Sequence, residues 1–221
     1  MAEPTAVRFN TPRRKDRAIE DQRWIGEFLT RCPVGTLATL GPDGPALNSN
    51  LFVFDASMSA IYLHTAHKGQ TRSNVEADSR VAFSVFELGR FLPAAAAVEF
   101  SAEYSAVVII GKCSIVENRQ EARRALGLLM RKYAPHLEPV RDYREIGDHD
   151  LTRTSVFRVD IQSWSGKGKA VETSNAYEYS AVKSPGPQTP AHRDHGPTTV
   201  SDTSFGEAFW AAIRARNRKG D

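Results

Sequence analysis

The stretch Tyr62 to Val75, YLHTAHKGQTRSNV, carries the densest set of groups able to do chemistry. Its pattern predicts a strand ending in His64-Thr65-Ala66, a loop with Lys68 and Gly69, and a short helix over residues 69–78. Hydroxyls, the cations Lys68 and Arg72, and a glycine at a helix start can hold a phosphate dianion. The backbone amides donate in fixed directions and the cations add charge. The same composition also suits an ordinary exposed strand-to-helix loop. His64 reads either as a strand histidine bonded to a carbonyl or as a group beside a ligand. His67 reads as an exposed loop residue. Trp164, near the end of a later β-run, reads as core or as the wall of a slot for a flat ligand, because indole stacks well on ring systems.

Other chemistries lack their residues. The sequence has no G-x-S-x-G elbow, no H-E-x-x-H, no G-x-G-x-x-G after a strand and no Walker loop. Gly166-Lys167-Gly168-Lys169 follows a strand without the spacing of a P-loop. His192 and His195 have no third ligand nearby, so no metal site is expected. Cys32 and Cys113 are too few for a disulfide framework or a zinc site, and both read as reduced thiols. Cys113 lies inside an apolar run and reads as a small core residue. Glu99 and Glu103 read as a solvated strand edge.

Elements that position these groups follow from the period of the apolar residues. Trp24, Ile25, Phe28 and Leu29 form one stripe of a helix over 19–31, which Pro33 ends. The period then changes from 3.6 to 2. Residues 34–41 and 45–55 predict a hairpin about Gly41-Pro42-Asp43-Gly44. Further β-runs cover 60–65, 80–88, 100–117 and 154–165. Asn118 predicts the cap of a helix running to about Tyr133, and residues 135–153 read as loop and short helix. Six β-segments with short early connections favour a closed antiparallel barrel with helical additions, a mainly β fold.

The 221 residues suit one barrel domain with extensions: a basic arm at 1–18, the domain at 19–179, a Pro-rich linker at 180–200 and an amphipathic helix at 201–221. Phe205, Phe209, Ala212 and Ile213 give that last helix an apolar face. The net charge of +3, from 29 basic and 26 acidic residues, argues no affinity for nucleic acid. No run approaches the roughly 18 apolar residues of a membrane span, and the first residues show no secretory signal. A cytoplasmic protein is expected.

In order, these motifs resemble the pyridoxamine 5′-phosphate oxidase-like, flavin-binding split-barrel superfamily. The nearest likeness is to its branch of nitroimidazole-resistance and flavin-nucleotide-binding proteins. Four stretches within Gln22 to Val171 carry the likeness: VGTLATLGPDGPAL, YLHTAHKGQTRSNV, RVAFSVFE with EYSAVVIIGKCSIVE, and FRVDIQSWSGK. The resemblance implies a six-stranded split barrel that pairs as a homodimer, with FMN at the dimer interface. Haem and a deazaflavin coenzyme are the alternative cofactors.

Matched by position, Lys68, Gln70, Thr71 and Arg72 fall on the phosphate loop. His64, Thr65 and Ala66 lie where a strand passes the flavin, and Asn48, Ser49, Asn50 and Leu51 lie on its neighbour. Tyr104 and Ser105 match an approaching strand, Trp164 the aromatic near the ring, and His64 the branch's histidine and candidate catalytic residue. Ser49 replaces a usual proline, Leu51 a frequent asparagine, and Thr71 a common basic residue. Residues 91–100 and the chain after Ser180 match nothing in the family. The implied activity is flavin-dependent reduction of a small planar acceptor, such as a nitro compound or quinone. The alternative is a non-catalytic flavin or haem carrier.

Overall fold

The computed structural model describes residues 12–172 and 175–178. The sequence-predicted linker and C-terminal helix, His192 and His195, and the first part of the basic arm lie outside the described residues.

The chain runs β1 (Ala18–Ile19), α1 (Gln22–Arg31), β2 (Val34–Gly41), β3 (Gly44–Asp55), β4 (Ala60–Ala66), α2 (Gln70–Ala77), β5 (Arg80–Leu92), β6 (Ser101–Ile115), α3 (Arg119–Tyr133), α4 (Asp148–Arg153) and β7 (Thr154–Lys169). The strands lie in the order β1-β7-β4-β3-β2-β5-β6, and β6 pairs again with β7. Strands β2 to β7 therefore close into a six-stranded antiparallel barrel, and β1 adds two residues beside β7. The helix expected from residue 19 begins at Gln22 instead. Ala18 and Ile19 are taken into the sheet, and the Asp21 carboxylate caps α1 by accepting from the N–H of Arg23 and Trp24.

Period-2 alternation fixes which residues fill the barrel. Leu37, Phe52, Leu63, Phe83, Ile109 and Phe157 point inward and are fully buried. Ile25, Phe28 and Leu29 of α1 join the same cluster. A second cluster forms outside, where Val53, Ala60, Tyr62 and Val156 meet Ala122, Ala125 and Leu129 of α3. Cys113 is buried, its thiol pushed up to about 12 by burial, which makes it an inert core residue.

Pro33 precedes β2 and has no N–H to give the sheet. The Tyr133 hydroxyl fills that place: it accepts from the Phe52 N–H at 2.9 Å, and lies 2.6 Å from the Pro33 carbonyl and 2.7 Å from that of Phe52. Lys132 Nζ beside it donates to the Leu29 and Cys32 carbonyls at 3.2 and 2.7 Å, closing the C-terminus of α1.

One expectation is corrected here. Glu103 is not a solvated edge residue, because the Arg90 guanidinium grips it at 2.7 Å and holds its carboxyl down to about 2. Gly166 and Gly168 belong to no phosphate loop. They lie in β7 under β1, where a Cβ on Gly166 would stand 2.9 Å from the Ile19 carbonyl oxygen.

Candidate functional site

The β3–β4 ladder begins at the Asp55–Ala60 turn and stops at the pair Phe52 and Leu63. Beyond that point β3 continues as Gly44–Leu51 paired only with β2, while His64, Thr65 and Ala66 of β4 pair only with β7. The barrel is thus split along one seam. In an antiparallel strand alternate residues turn N–H and C=O to opposite edges, so half of those groups in β3 face the gap with no strand opposite. Such an edge offers donors and acceptors to a flat polar heterocycle.

Helix α2 closes the foot of the gap. The Asn48 Nδ2 of β3 donates to the Thr71 Oγ1 at 2.9 Å, and the Asn50 Nδ2 donates to the Asn48 carbonyl at 3.2 Å. Gly69 precedes α2 with φ +154 and supplies no side-chain cap. The first bond inside this helix is from the Ser73 N–H to the Gly69 carbonyl, so the amides of Gln70, Thr71 and Arg72 have no acceptor within it. They give the turn partial positive charge.

Lys68 stands exposed on the preceding loop and makes no ion pair among the described residues. Arg72 is held in place. Its Nε lies 2.8 Å from Glu76, and its Nη1 donates to the Ser155 hydroxyl at 2.9 Å. Ser155 donates in turn to the His67 carbonyl at 3.2 Å, and the His67 N–H reaches the Arg153 carbonyl at 3.1 Å. The loop is therefore pinned to the start of β7. Ser155 escapes sequence reasoning, because nothing local marks a serine 83 residues from its partner.

His64 lies at the rim of the gap, and surrounding protein lowers its pKa by desolvation. The imidazole is neutral at physiological pH, with one nitrogen free to accept. Ser49 and Leu51 are exposed beside it on the outer face, and the Ser49 and Thr36 hydroxyls are 2.9 Å apart.

Eleven of the sequence-derived residues, 48–51, 64–66, 68 and 70–72, thus gather around the gap. Tyr104, Ser105 and Trp164 do not join them within one chain. Trp164 lies towards the other end of β7 from Thr154, which pairs with Ala66. Its ring packs on Phe54 at 5.7 Å and its indole N–H donates to Gln22. Tyr104 pairs with Lys169 at that far end and stacks on Phe86 at 6.2 Å on the outer face.

A cavity of about 190 Å3 opens beside the pinned loop, lined by His67, Arg72, Glu117, Arg119, Thr152 and Ser155 among others.

A closed six-stranded antiparallel barrel, parted along one seam above a helix start, defines a split barrel. The chain belongs to the pyridoxamine 5′-phosphate oxidase family, whose model matches residues 21–168. Solved structures agree on the fold. The flavocytochrome Anf3 from Azotobacter vinelandii superposes with a TM-score of 0.66 at 15% identity, covering 93% of this chain and 96% of that one. The FAD and heme binding protein from Mycobacterium smegmatis gives 0.64 at 16% identity, covering 90% and 96%. A proposed 5-nitroimidazole antibiotic resistance protein from Bacteroides thetaiotaomicron VPI-5482 gives 0.57 at 20% identity, covering 68% and 86%. No curated protein sequence matches the chain significantly.

Proposed function

We propose that the chain is a flavoprotein that holds a flavin nucleotide in the β3–β4 gap and reduces a small planar acceptor, a nitro compound or a quinone. The carrying observation is the interrupted ladder above an uncapped helix start with Lys68 beside it. The donor set fits a flavin. The free edge of β3 meets the pyrimidine rim, and the α2 amides with Lys68 meet the phosphate. A bound flavin supplies the hydride or electron transfer, and the protein supplies position. Asn48 and Thr71 fix the depth of the gap, and neutral His64 holds or accepts a hydrogen bond at its rim. The flavin-binding and heme-binding structural relatives support a redox cofactor.

Purified protein is expected to be yellow and to release a flavin of identifiable mass on denaturation. Lys68→Ala is expected to weaken flavin binding about tenfold, or about 1.5 kcal/mol, the lower end for a charge-assisted hydrogen bond. A colourless protein that takes up no added flavin would refute the reading. A haem spectrum instead would favour the second reading, in which neutral His64 is an axial ligand.

The homodimer belongs to the same proposal. Val34, Leu40, Leu47, Leu51, Phe86 and Leu88 are exposed on the contiguous outer face of β3, β2 and β5, with Leu47 at 74% and Phe86 at 59%. An apolar band of this kind marks an association surface. A second copy laid on it covers the gap and can bring its own Tyr104 or Trp164 towards the cofactor. Phe86→Glu is expected to turn dimer into monomer in sedimentation and to lower flavin occupancy with it. A dimer that survives Phe86→Glu and Leu47→Glu together places the interface elsewhere.

A further inference from the structure

We infer that the cleft between α3 and the loop that follows it is a second small-molecule site, which takes an aromatic carboxylate. The inference is independent of the flavin reading, and its lining shares no residue with the β3–β4 gap.

Helix α3 presents two faces. Ala122, Ala125 and Leu129 pack on the barrel. Arg123, Gly127 and Arg131 follow one another at spacings of four, which sets them in a row on another face. Residues 135–146 fold back along that row and leave a cavity of about 420 Å3, a size that suits a small ligand. Gly127 opens the floor. The nearest atom to a Cβ there would be an Arg131 nitrogen at 3.7 Å, so the guanidinium lies over the glycine.

The opposite wall is fixed by its own bonds. The Asp142 N–H donates to the Glu138 carbonyl at 2.9 Å, and the Glu138 N–H donates to the Asp142 carboxylate at 2.8 Å. The Val140 N–H donates to the Tyr143 carbonyl at 2.8 Å, and Arg141 pairs with both Glu138 and Asp142 at 3.0 and 2.7 Å. This bracing holds Val140 at φ +71, which a β-branched residue rarely adopts. The wall is therefore in place before a ligand arrives, and little ordering is needed on binding.

The lining sets the class of ligand. Arg123 is committed: its Nε donates to the Ile146 carbonyl at 3.3 Å, and its guanidinium pairs with Asp148, which Arg119 also holds at 3.0 Å. Arg131 is exposed and makes no ion pair among the described residues. Glu145 is the lone carboxylate against two arginines on the lining, so the cleft keeps a positive charge. A free guanidinium takes a carboxylate through two parallel N–H bonds. Leu137 and Ile146, with the rings of Pro139 and Tyr143, add apolar surface. A flat hydrocarbon body covers that surface, whereas a bare inorganic anion leaves it wet.

Calorimetric titration of the full chain with naphthoate tests the inference. Naphthoate is expected to bind saturably and about tenfold tighter than its neutral amide, naphthamide, the difference one charge-assisted pair makes. Arg131→Gln is expected to bring acid and amide to equal affinity. Gly127→Leu, which fills the floor, is expected to weaken both about tenfold. Lys68→Ala, in the flavin site, is expected to change neither. A thermal melt no lower than the parent's establishes that the variants fold, and Arg131→Gln decides alone if Gly127→Leu melts early. Absence of saturable binding, equal affinity of acid and amide for the parent, or an Arg131→Gln variant that still prefers the acid overturns the site. Loss of naphthoate binding in Lys68→Ala places the ligand in the flavin gap and overturns it as well. Inorganic phosphate that displaces naphthoate at equal concentration overturns the ligand class.

Discussion

Gly35→Val is expected to lower the melting temperature by about 6–12 °C, the equivalent of about 3 kcal/mol in a domain of this size. Gly35 lies in β2 opposite Asn50, and its missing side chain is replaced by the Phe83 ring. A Cβ there would stand 2.2 Å from the Cζ of Phe83 and 2.5 Å from its Cε1. The ring has no room to retreat. Phe83 is fully buried and meets Phe52 edge-on at 5.0 Å, and Phe52 is itself fully buried. The alternatives are an off-rotamer Phe83 or a displaced β2, and either disturbs the interior of the barrel. Gly127→Ala is the control. Gly127 lies within α3, where the nearest atom to a Cβ is a flexible Arg131 nitrogen at 3.7 Å. That change is expected to be neutral or to stabilise by up to about 1 kcal/mol, the helix propensity gain. Equal melting temperatures for parent and Gly35→Val would show that the ring is not confined.

Asp55→Asn is expected to cost about 2–3 kcal/mol at neutral pH. Asp55 is buried at the turn between β3 and β4. It accepts from the Ser57 N–H and hydroxyl at 3.0 and 2.6 Å and pairs with Arg124 of α3. Arg124 also donates to the Tyr62 hydroxyl at 3.1 Å, and that hydroxyl donates to Glu121 at 2.7 Å. One carboxylate thus ties the hairpin turn to the helix that covers it. Half-exposed Arg124 keeps the cost below that of a fully buried pair. Burial alone would raise the Asp55 pKa, but the hydrogen bonds from Ser57 and Arg124 outweigh it and leave the group below its ordinary value. A depressed folded-state pKa contributes stability that is present above the unfolded value and lost as pH falls through the folded one. The gap between parent and Asp55→Asn in urea midpoints is therefore expected to narrow as pH drops below about 4. A gap that stays constant from pH 6 to pH 3 would deny the carboxylate this role.

Local rules made much of the barrel legible. The alternation in 34–41 and the turn at Pro42-Asp43 predicted β2 and β3 to within one residue, because a half-buried strand leaves a period of 2. Asn118 announced α3 through its side-chain cap, which accepts from Gln120 and Glu121. Strands β5 and β7 ran four residues past their expected ends, to Leu92 and Lys169. Their extensions hold Gly89, Arg90, Gly166 and Lys167, types that weigh against a strand until partners at Glu103 and Ile19 are in place. β1 was invisible for the same reason, since two residues leave no period.

For the candidate site, the loop from Lys68 to Arg72 and the strand pair around it were readable as one cluster. The seam was not, because no sequence pattern records where a ladder stops. Ser155 and Arg119 were equally hidden, since each joins the loop region only through tertiary packing. Position matching gave Trp164 no partners, and the structure supplies them: its indole N–H donates to Gln22 and its ring packs on Phe54.

The last strand has a bearing on how the molecule is made. β7 pairs with β4 and with β6, and the first of these ladders joins Ala60 to Asp160, a hundred residues apart in the chain. Neither flank can zip until its partner residues in β7 have left the ribosome, 154–160 for β4 and 157–169 for β6, so the nascent polypeptide carries two raw sheet margins through most of its synthesis. Contacts so distant along the chain also slow the closing search. Those margins are the places where another chain can pair before the barrel closes, so their shielding during translation bears on how much chain reaches the closed barrel.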